Sequence, residues 1–270
     1  MSKIIDCITF YNENLLANAR FEILKDVVDK FIVCESAFDH SGNPKKINFE
    51  LKNKIFSDKV EHIIIKENFP KPTQPWNNEK IQREYILESL SNYGPEDYIL
   101  YSDSDEIPDP STLHNLNLKR KYGIFFQKNF VYKLNIFNKH ETPWEGTRIC
   151  KKKNLQSIFH LRKKILSKNL KKSFWKFYIE KDIQLISEGG WHFNNLYDPK
   201  TISQKLKVFP HKEFSANLYT DIKNINKKIN NLEDLFNRGH KYEKVSIDSS
   251  YPKYILDNLS LFNDYILNDE

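Results

Sequence analysis

Glycine and cysteine are both scarce in this sequence, at 7 and 3 of its 270 residues. The cysteines, Cys7, Cys34 and Cys150, are odd in number and widely spaced with no CxxC pair, which argues against a disulfide framework or a zinc knuckle. Cys7 and Cys34 sit inside apolar runs, where buried free thiols are expected, and a reducing compartment is expected with them. No stretch approaches the roughly 18 uninterrupted apolar residues of a membrane-spanning helix. The amino terminus shows no signal-peptide segment and enters a strand-like run at Ile4, so a cytoplasmic location is expected. No arginine face is concentrated anywhere. The net charge of +6 suits anionic ligands such as nucleotides or phospholipid headgroups but falls short of a dedicated nucleic-acid binder.

Aromatic residues, by contrast, make up 14% of the chain and hydrophobic residues 39%, enough to bury a substantial core and to exclude wholesale disorder. No internal repeat and no dividing linker is visible, so one domain spanning 1–270 is expected. The first hundred or so residues alternate strand and helix. Residues 4–10 read as a buried strand, and 14–29 as a helix with Leu15, Leu16, Ala19, Ile23, Leu24, Val27 and Val28 at helical spacing. Phe31-Ile32-Val33-Cys34 and residues 60–65 read as strands, 77–90 as a helix, and Tyr98-Ile99-Leu100-Tyr101 as a fourth strand. This alternation predicts an α/β fold with a mainly parallel sheet flanked by helices. Residues 124–138 read as an added antiparallel part, and 251–267 as a helix entered through Pro252.

Ligands on such sheets bind beyond the carboxyl ends of the strands, which singles out Phe10 to Glu13, Glu35 to Lys45 and Ser102 to Glu106. The fourth strand delivers Asp103, Asp105 and Glu106 together, and their repulsion asks for a compensating cation, with Mg²⁺ or Mn²⁺ the ions suited to hard oxygen ligands. An acidic turn capping the next element is the plainer alternative. Ser187-Glu188-Gly189-Gly190-Trp191-His192-Phe193 combines flexible backbone, an aromatic face for a sugar ring and a metal-capable imidazole; a tight turn over a core tryptophan would look the same. Trp144-Glu145-Gly146-Thr147 offers a second platform, and either Glu145 or Glu188 could act as general base. Residues 151–181 are basic with interleaved aromatics, either a solvated face or a surface for an anionic acceptor or membrane.

The order of motifs resembles glycosyltransferase family 17: Asp26 to Ser36 followed by Gly42-Asn43-Pro44-Lys45, then Asp103-Ser104-Asp105-Glu106-Ile107-Pro108, Gly190-Trp191-His192, and Tyr251 to Leu256. The resemblance spans about 4–267 and is loosest over 124–185. It implies a GT-A-like fold, with a nucleotide-binding half over about 1–110 and an acceptor half over about 111–270. It further implies inverting, metal-dependent transfer of a sugar, GlcNAc first among the candidates, from UDP-GlcNAc or a related UDP-sugar. Where members of the family carry a membrane anchor, this sequence enters the catalytic fold directly, so a glycan or lipid-linked glycan acceptor in surface-glycan biosynthesis is expected, met at the inner face of a membrane with peripheral attachment to it. By that likeness Asp105 and His192 ligate Mn²⁺ or Mg²⁺, and Asp103 contacts the ribose or helps the metal. Phe10, Glu13 and Glu35 face the uridine, Arg83 meets the uridine or the diphosphate, and Lys45 and Arg238 meet the diphosphate. Trp144 and Trp191 take the acceptor, and Glu145 ranks above Glu188 as base. Two other readings compete. A sugar nucleotidyltransferase would need a glycine-rich loop where Tyr11-Asn12-Glu13-Asn14 stands, and a non-catalytic glycan- or membrane-binding module would not need the acidic cluster.

Overall fold

A computed structural model of the chain describes residues 2–71, 74–114, 116–208 and 217–268. In chain order the elements are β1 (Ile4–Phe10), α1 (Asn14–Leu24), β2 (Lys30–Ser36), β3 (Val60–Ile65), α2 (Pro75–Leu90), β4 (Tyr98–Asp103), β5 (Glu106–Pro108), α3 (Pro110–His114), β6 (Tyr122–Val131), β7 (Ile136–Phe137), β8 (Trp144–Lys151), α4 (Ile158–Lys163), β9 (Ile183–Ile186), β10 (Gly190–Asn194), α5 (Pro199–Val208), α6 (Asn217–Thr220), α7 (Ile222–Asn230), β11 (Glu243–Lys244) and α8 (Lys253–Asp257). The sheet runs β11-β7-β6-β8-β4-β1-β2-β3, with β9 and β10 added along β6 and β5 paired to β10. β3, β2, β1 and β4 are mutually parallel, while β8 joins β4 and β6 antiparallel. The expected α/β architecture, a mainly parallel half flanked by helices and extended by antiparallel strands, is the one observed.

Alternation along the strands explains the layers. Ile5 and Cys7 of β1 share one core with Ile32, Cys34, Ile99, Tyr101 and, from α2, Ile86 and Leu90. Ile8 and Phe10 point the other way, into a core with Phe31, Val33, Leu100 and the α1 residues Ala17, Phe21 and Leu24. A period of two on β1 thus requires a helix on each face. All three cysteines are buried free thiols. Among the described residues no helix is long and apolar enough to cross a membrane.

Two elements end earlier than the pattern predicts. α1 stops at Leu24 because Asp29 pins the chain to the start of β1: its carboxylate accepts from the Ile4 amide at 2.7 Å and its own amide donates to the Ile4 carbonyl at 2.9 Å. Val28 therefore packs into the core from a turn. At the carboxyl end, α8 gives way at Asn258, whose side chain caps the Tyr254 carbonyl at 2.8 Å, and a 3₁₀ segment (Leu259–Tyr265) continues.

One buried ion pair ties these layers together. Arg20 of α1 and Asp6 of β1 are both essentially inaccessible and meet in a fork, with two contacts of 2.6 Å. The same guanidinium donates to Ser102 Oγ at 2.9 Å and to the Glu106 carbonyl at 2.5 Å, so it also holds the turn after β4. Removing one partner strands the other charge in the interior. Arg20→Ala is expected to lower stability by about 3–5 kcal/mol in a urea titration, and pairing Arg20→Met with Asp6→Leu to recover much of that loss.

Candidate active site

The register of the parallel strands places Thr9 beside Asp103 and Phe10 beside Glu35, so the carboxyl ends of β1, β2 and β4 open on one edge. A cleft of about 510 Å³ lies over that edge. Its walls come from both parts of the chain: Phe10, Glu13, Lys45, Trp76, Gln82 and Arg83 on one side, and Trp144, Arg162, Lys163, His192, Lys205 and Arg238 on the other, with Asp103 to Glu106 at the floor.

The floor carboxylates are answered by arginines. Arg162 of α4 reaches Asp103 Oδ2 at 2.7 Å and Glu106 Oε1 at 2.6 Å, while Arg83 of α2 reaches Asp103 Oδ1 at 3.2 Å and Glu79 at 2.7 Å. The Tyr101 hydroxyl accepts from Arg83 Nε at 2.8 Å and donates to Asp103 Oδ1 at 3.2 Å. Burial opposes ionisation of Asp103, but the Arg162 and Arg83 guanidinium groups overcome it and hold the carboxyl well below the usual carboxylate range. The sequence-based expectation that a cation must relieve the whole cluster is therefore corrected for Asp103 and Glu106: the chain's own arginines do it. Each oxygen of Asp103 is already committed to them.

Asp105 stands apart from that network. No arginine pairs with it among the described residues; its Oδ1 lies 3.7 Å from His192 Nε2. Burial again disfavours its charge, yet His192 and then Lys205 outweigh burial and lower its proton affinity. His192 arrives from nearly ninety residues downstream because β10 pairs antiparallel with β5, setting His192 opposite Glu106. The backbone is fastened there as well, the Phe193 amide donating to the Asp105 carbonyl at 2.9 Å. The imidazole stacks on Trp144 at 4.6 Å between centroids, and the indole N–H of Trp144 donates to Glu106 Oε1 at 2.7 Å. Close approach of β10 to β5 depends on glycine: Gly190 has φ +121°, and a Cβ there would sit 2.2 Å from the Ile107 carbonyl oxygen. Among the described residues, two buried side-chain atoms of this cleft's walls lack a hydrogen-bond partner, Arg83 Nη1 and His192 Nδ1.

Of the residues singled out from sequence, Phe10, Glu13, Lys45, Arg83, Asp103, Asp105, Trp144, His192 and Arg238 line the cleft. Four do not. Glu35 is turned beneath it, accepting from Lys45 at 2.5 Å, His62 at 3.2 Å and the amides of Asn48 and Phe49 at 2.7 and 3.0 Å. Burial opposes its charge, and these donors lower its proton affinity nonetheless, which makes it the clasp of the loop carrying Lys45. Glu145 is held by Arg148 and by the Ser167 amide, both at 3.2 Å, and by the Ser167 hydroxyl. Glu188 sits on a turn with its side chain 84% exposed, 3.9 Å from Lys128. Trp191 alternates with His192 on β10 and so points into the core, its indole N–H donating to the Ser250 carbonyl at 2.9 Å. Glu13 accepts from the amides of Tyr11 and Asn12 at 2.9 and 3.0 Å, and Arg238 is paired with Asp234 at 2.9 Å and Glu141 at 2.6 Å.

Sequence reading missed Arg20, Arg162, Trp76 and Lys163. Arg162 lay inside the basic run of 151–181, with nothing local to mark it as the buried member. Trp76 is 48% exposed on the cleft wall, with Lys163 Nζ 5.8 Å from its ring. Its place at the start of α2, behind Pro75, is the signal that could have found it.

Known glycosyltransferases are similar to this chain in sequence. The chain is 32% identical over 117 residues to the beta-1,4-mannosyl-glycoprotein 4-beta-N-acetylglucosaminyltransferases of Rattus norvegicus and Homo sapiens, a match covering 39% of this chain and 22% of either relative. Among solved structures, glucosyl-3-phosphoglycerate synthase from Mycobacterium tuberculosis in complex with Mn²⁺ and UDP-Glc aligns over 94% of this chain and 91% of its own, with a TM-score of 0.39 and 11% identity. A glycosyltransferase involved in glycosylation of the major capsid of PBCV-1 aligns over 68% and 81%, with a TM-score of 0.33 and 12% identity. Residues 1–240 match the family model of glycosyltransferase family 17, and the chain belongs to that family.

Proposed function

We propose that the cleft binds UDP-GlcNAc and transfers GlcNAc with inversion to a hydroxyl of a glycan or lipid-linked glycan, in surface-glycan biosynthesis at the cytoplasmic side of a membrane. The observation that carries this reading is the meeting of Asp105 and His192, 3.7 Å apart, in a cleft that also holds the buried, unpartnered Arg83 Nη1. The carboxylate suits Mn²⁺ or Mg²⁺, and an imidazole beside it favours Mn²⁺, the softer of the two. Among the described residues no group of three such side chains converges, but ions of this class take one or two protein ligands and complete their shell with phosphate oxygens and water. His192 turns Nε2 toward Asp105 Oδ1, so the ring nitrogen and the carboxylate that would share an ion face each other and the donor set fits. A divalent ion held there supplies Lewis-acid neutralisation of the departing diphosphate.

The chain's own groups divide the remaining work. Arg83 Nη1 offers a phosphate oxygen a donor that the fold leaves unused, and Lys205 and Lys163 add positive charge to the same walls. Phe10, Glu13 and Lys45 lie at the nucleoside end, contributed by residues 1–110. Trp144, beside His192, presents a face to the donor sugar, and Trp76 on the rim presents one to the acceptor. Arg162, engaged by Asp103 and Glu106, is left to hold the floor and is not assigned to the diphosphate. Glu145 and Glu188 do not line the cleft, so neither is assigned the acceptor's proton.

Saturating UDP is expected to raise the melting temperature by roughly 5–10 °C with Mn²⁺ present and far less in excess EDTA. Asp105→Asn and His192→Ala should each remove the metal-dependent part, and an undiminished shift in EDTA overturns the assignment. Trp76→Ala is expected to raise KM for the acceptor roughly five- to tenfold while UDP-GlcNAc hydrolysis without acceptor is unchanged, as measured by steady-state kinetics.

A further inference from the structure

Away from the cleft, exposed apolar side chains are concentrated in one short segment. Leu170 is 40% exposed, Phe174 75%, Trp175 63%, Phe177 84% and Tyr178 81%. Phe174 and Trp175 meet each other edge to face at 4.7 Å. Lysines 168, 171, 172 and 176 interleave with them. The acidic residues next in the chain, Glu180 and Asp182, are turned toward Lys121 and Arg120 instead, at 3.1 and 3.5 Å. The segment is anchored at its base: it comes after α4, whose Arg162 and Lys163 wall the cleft, and the Ser167 amide is bonded to Glu145.

Leaving several aromatics in water is unfavourable unless something covers them. The covering surface has to accept aromatic tips and answer several positive charges at once. A two-fold contact with a second copy of this chain does not, because it would bring the same lysines against one another. The core of a protein interface is depleted in charge, which these interleaved lysines do not allow. A bilayer with anionic headgroups meets both demands, since aromatics enter the boundary between headgroup and acyl chain while lysines reach the phosphates. We infer that residues 168–178 dock this enzyme on an anionic lipid bilayer. Because α4 joins that segment to the cleft wall, docking holds the cleft close to the membrane.

The test is co-sedimentation of the full chain with vesicles of phosphatidylcholine alone or with about one third phosphatidylglycerol, without nucleotide or metal, so that its outcome is independent of the catalytic assignment. The expected result is at least about tenfold stronger partitioning onto the anionic vesicles, weakened by salt. Lys171→Glu with Lys172→Glu, and separately Trp175→Ser with Phe177→Ser, should each reduce that binding by about tenfold or more while leaving the melting temperature unchanged. Equal partitioning onto neutral vesicles, no partitioning onto either, or a dimer abolished by the Trp175 and Phe177 changes in place of lipid binding would each overturn the inference.

Discussion

Everything at the carboxyl edge of this sheet depends on how buried carboxylates are matched with guanidinium groups. Arg20 from α1, Arg83 from α2 and Arg162 from α4 converge on the strand end and turn formed by residues 102–106, each from a different helix. A carboxylate buried without a partner would take up a proton or force the turn open. Because three helices supply the partners, the turn is positioned by both faces of the sheet at once. The same matching decides which carboxylate stays available. Asp103 and Glu106 are consumed by arginine, and Asp105 is left with His192.

That division separates holding from binding. Arginine is suited to the first task, since it offers several donors and stays charged when buried: Arg162 reaches both carboxylates through Nη2 while its Nη1 donates to the Gly146 carbonyl. The second task needs groups whose coordination is incomplete in the folded chain. Arg83 Nη1 and His192 Nδ1 are such groups, buried and unpartnered among the described residues. Leaving a buried donor unsatisfied costs about 1–3 kcal/mol, a penalty that a bound anion relieves. On the proposed function, these are the places where a bound nucleotide would restore the balance.

The parallel half was legible in sequence because its signals are local. Ile4 to Phe10 and Val60 to Ile65 are apolar runs of strand length, and the acidic turn comes after a strand that nothing else could explain. The pairing of β10 with β5 was not legible in that way: Gly190-Trp191-His192 fits a turn as well as a strand, and only the register against Glu106 shows which of Trp191 and His192 faces the cleft. Alternation then settles both at once, sending the indole to the core and the imidazole to Asp105. Glu35 misled for a related reason. A strand end points to a site, but side-chain parity on β2 turns this carboxylate under the loop it clasps.

The basic stretch shows the same limit of composition most clearly. Read as a run, Arg162-Lys163-Lys164 and Lys171-Lys172 are one feature; folded, they serve opposite needs. Arg162 is drawn inward because two carboxylates wait at the end of α4, whereas Lys171 and Lys172 stay in water beside exposed aromatics. The switch is made between them by Ser167, whose contacts with Glu145 fix where the chain leaves the cleft wall. Glu145 looked like a catalytic base from sequence because it stands next to a tryptophan. Its engagement with Arg148 and Ser167 makes it instead the link between the cleft wall and the start of the exposed segment.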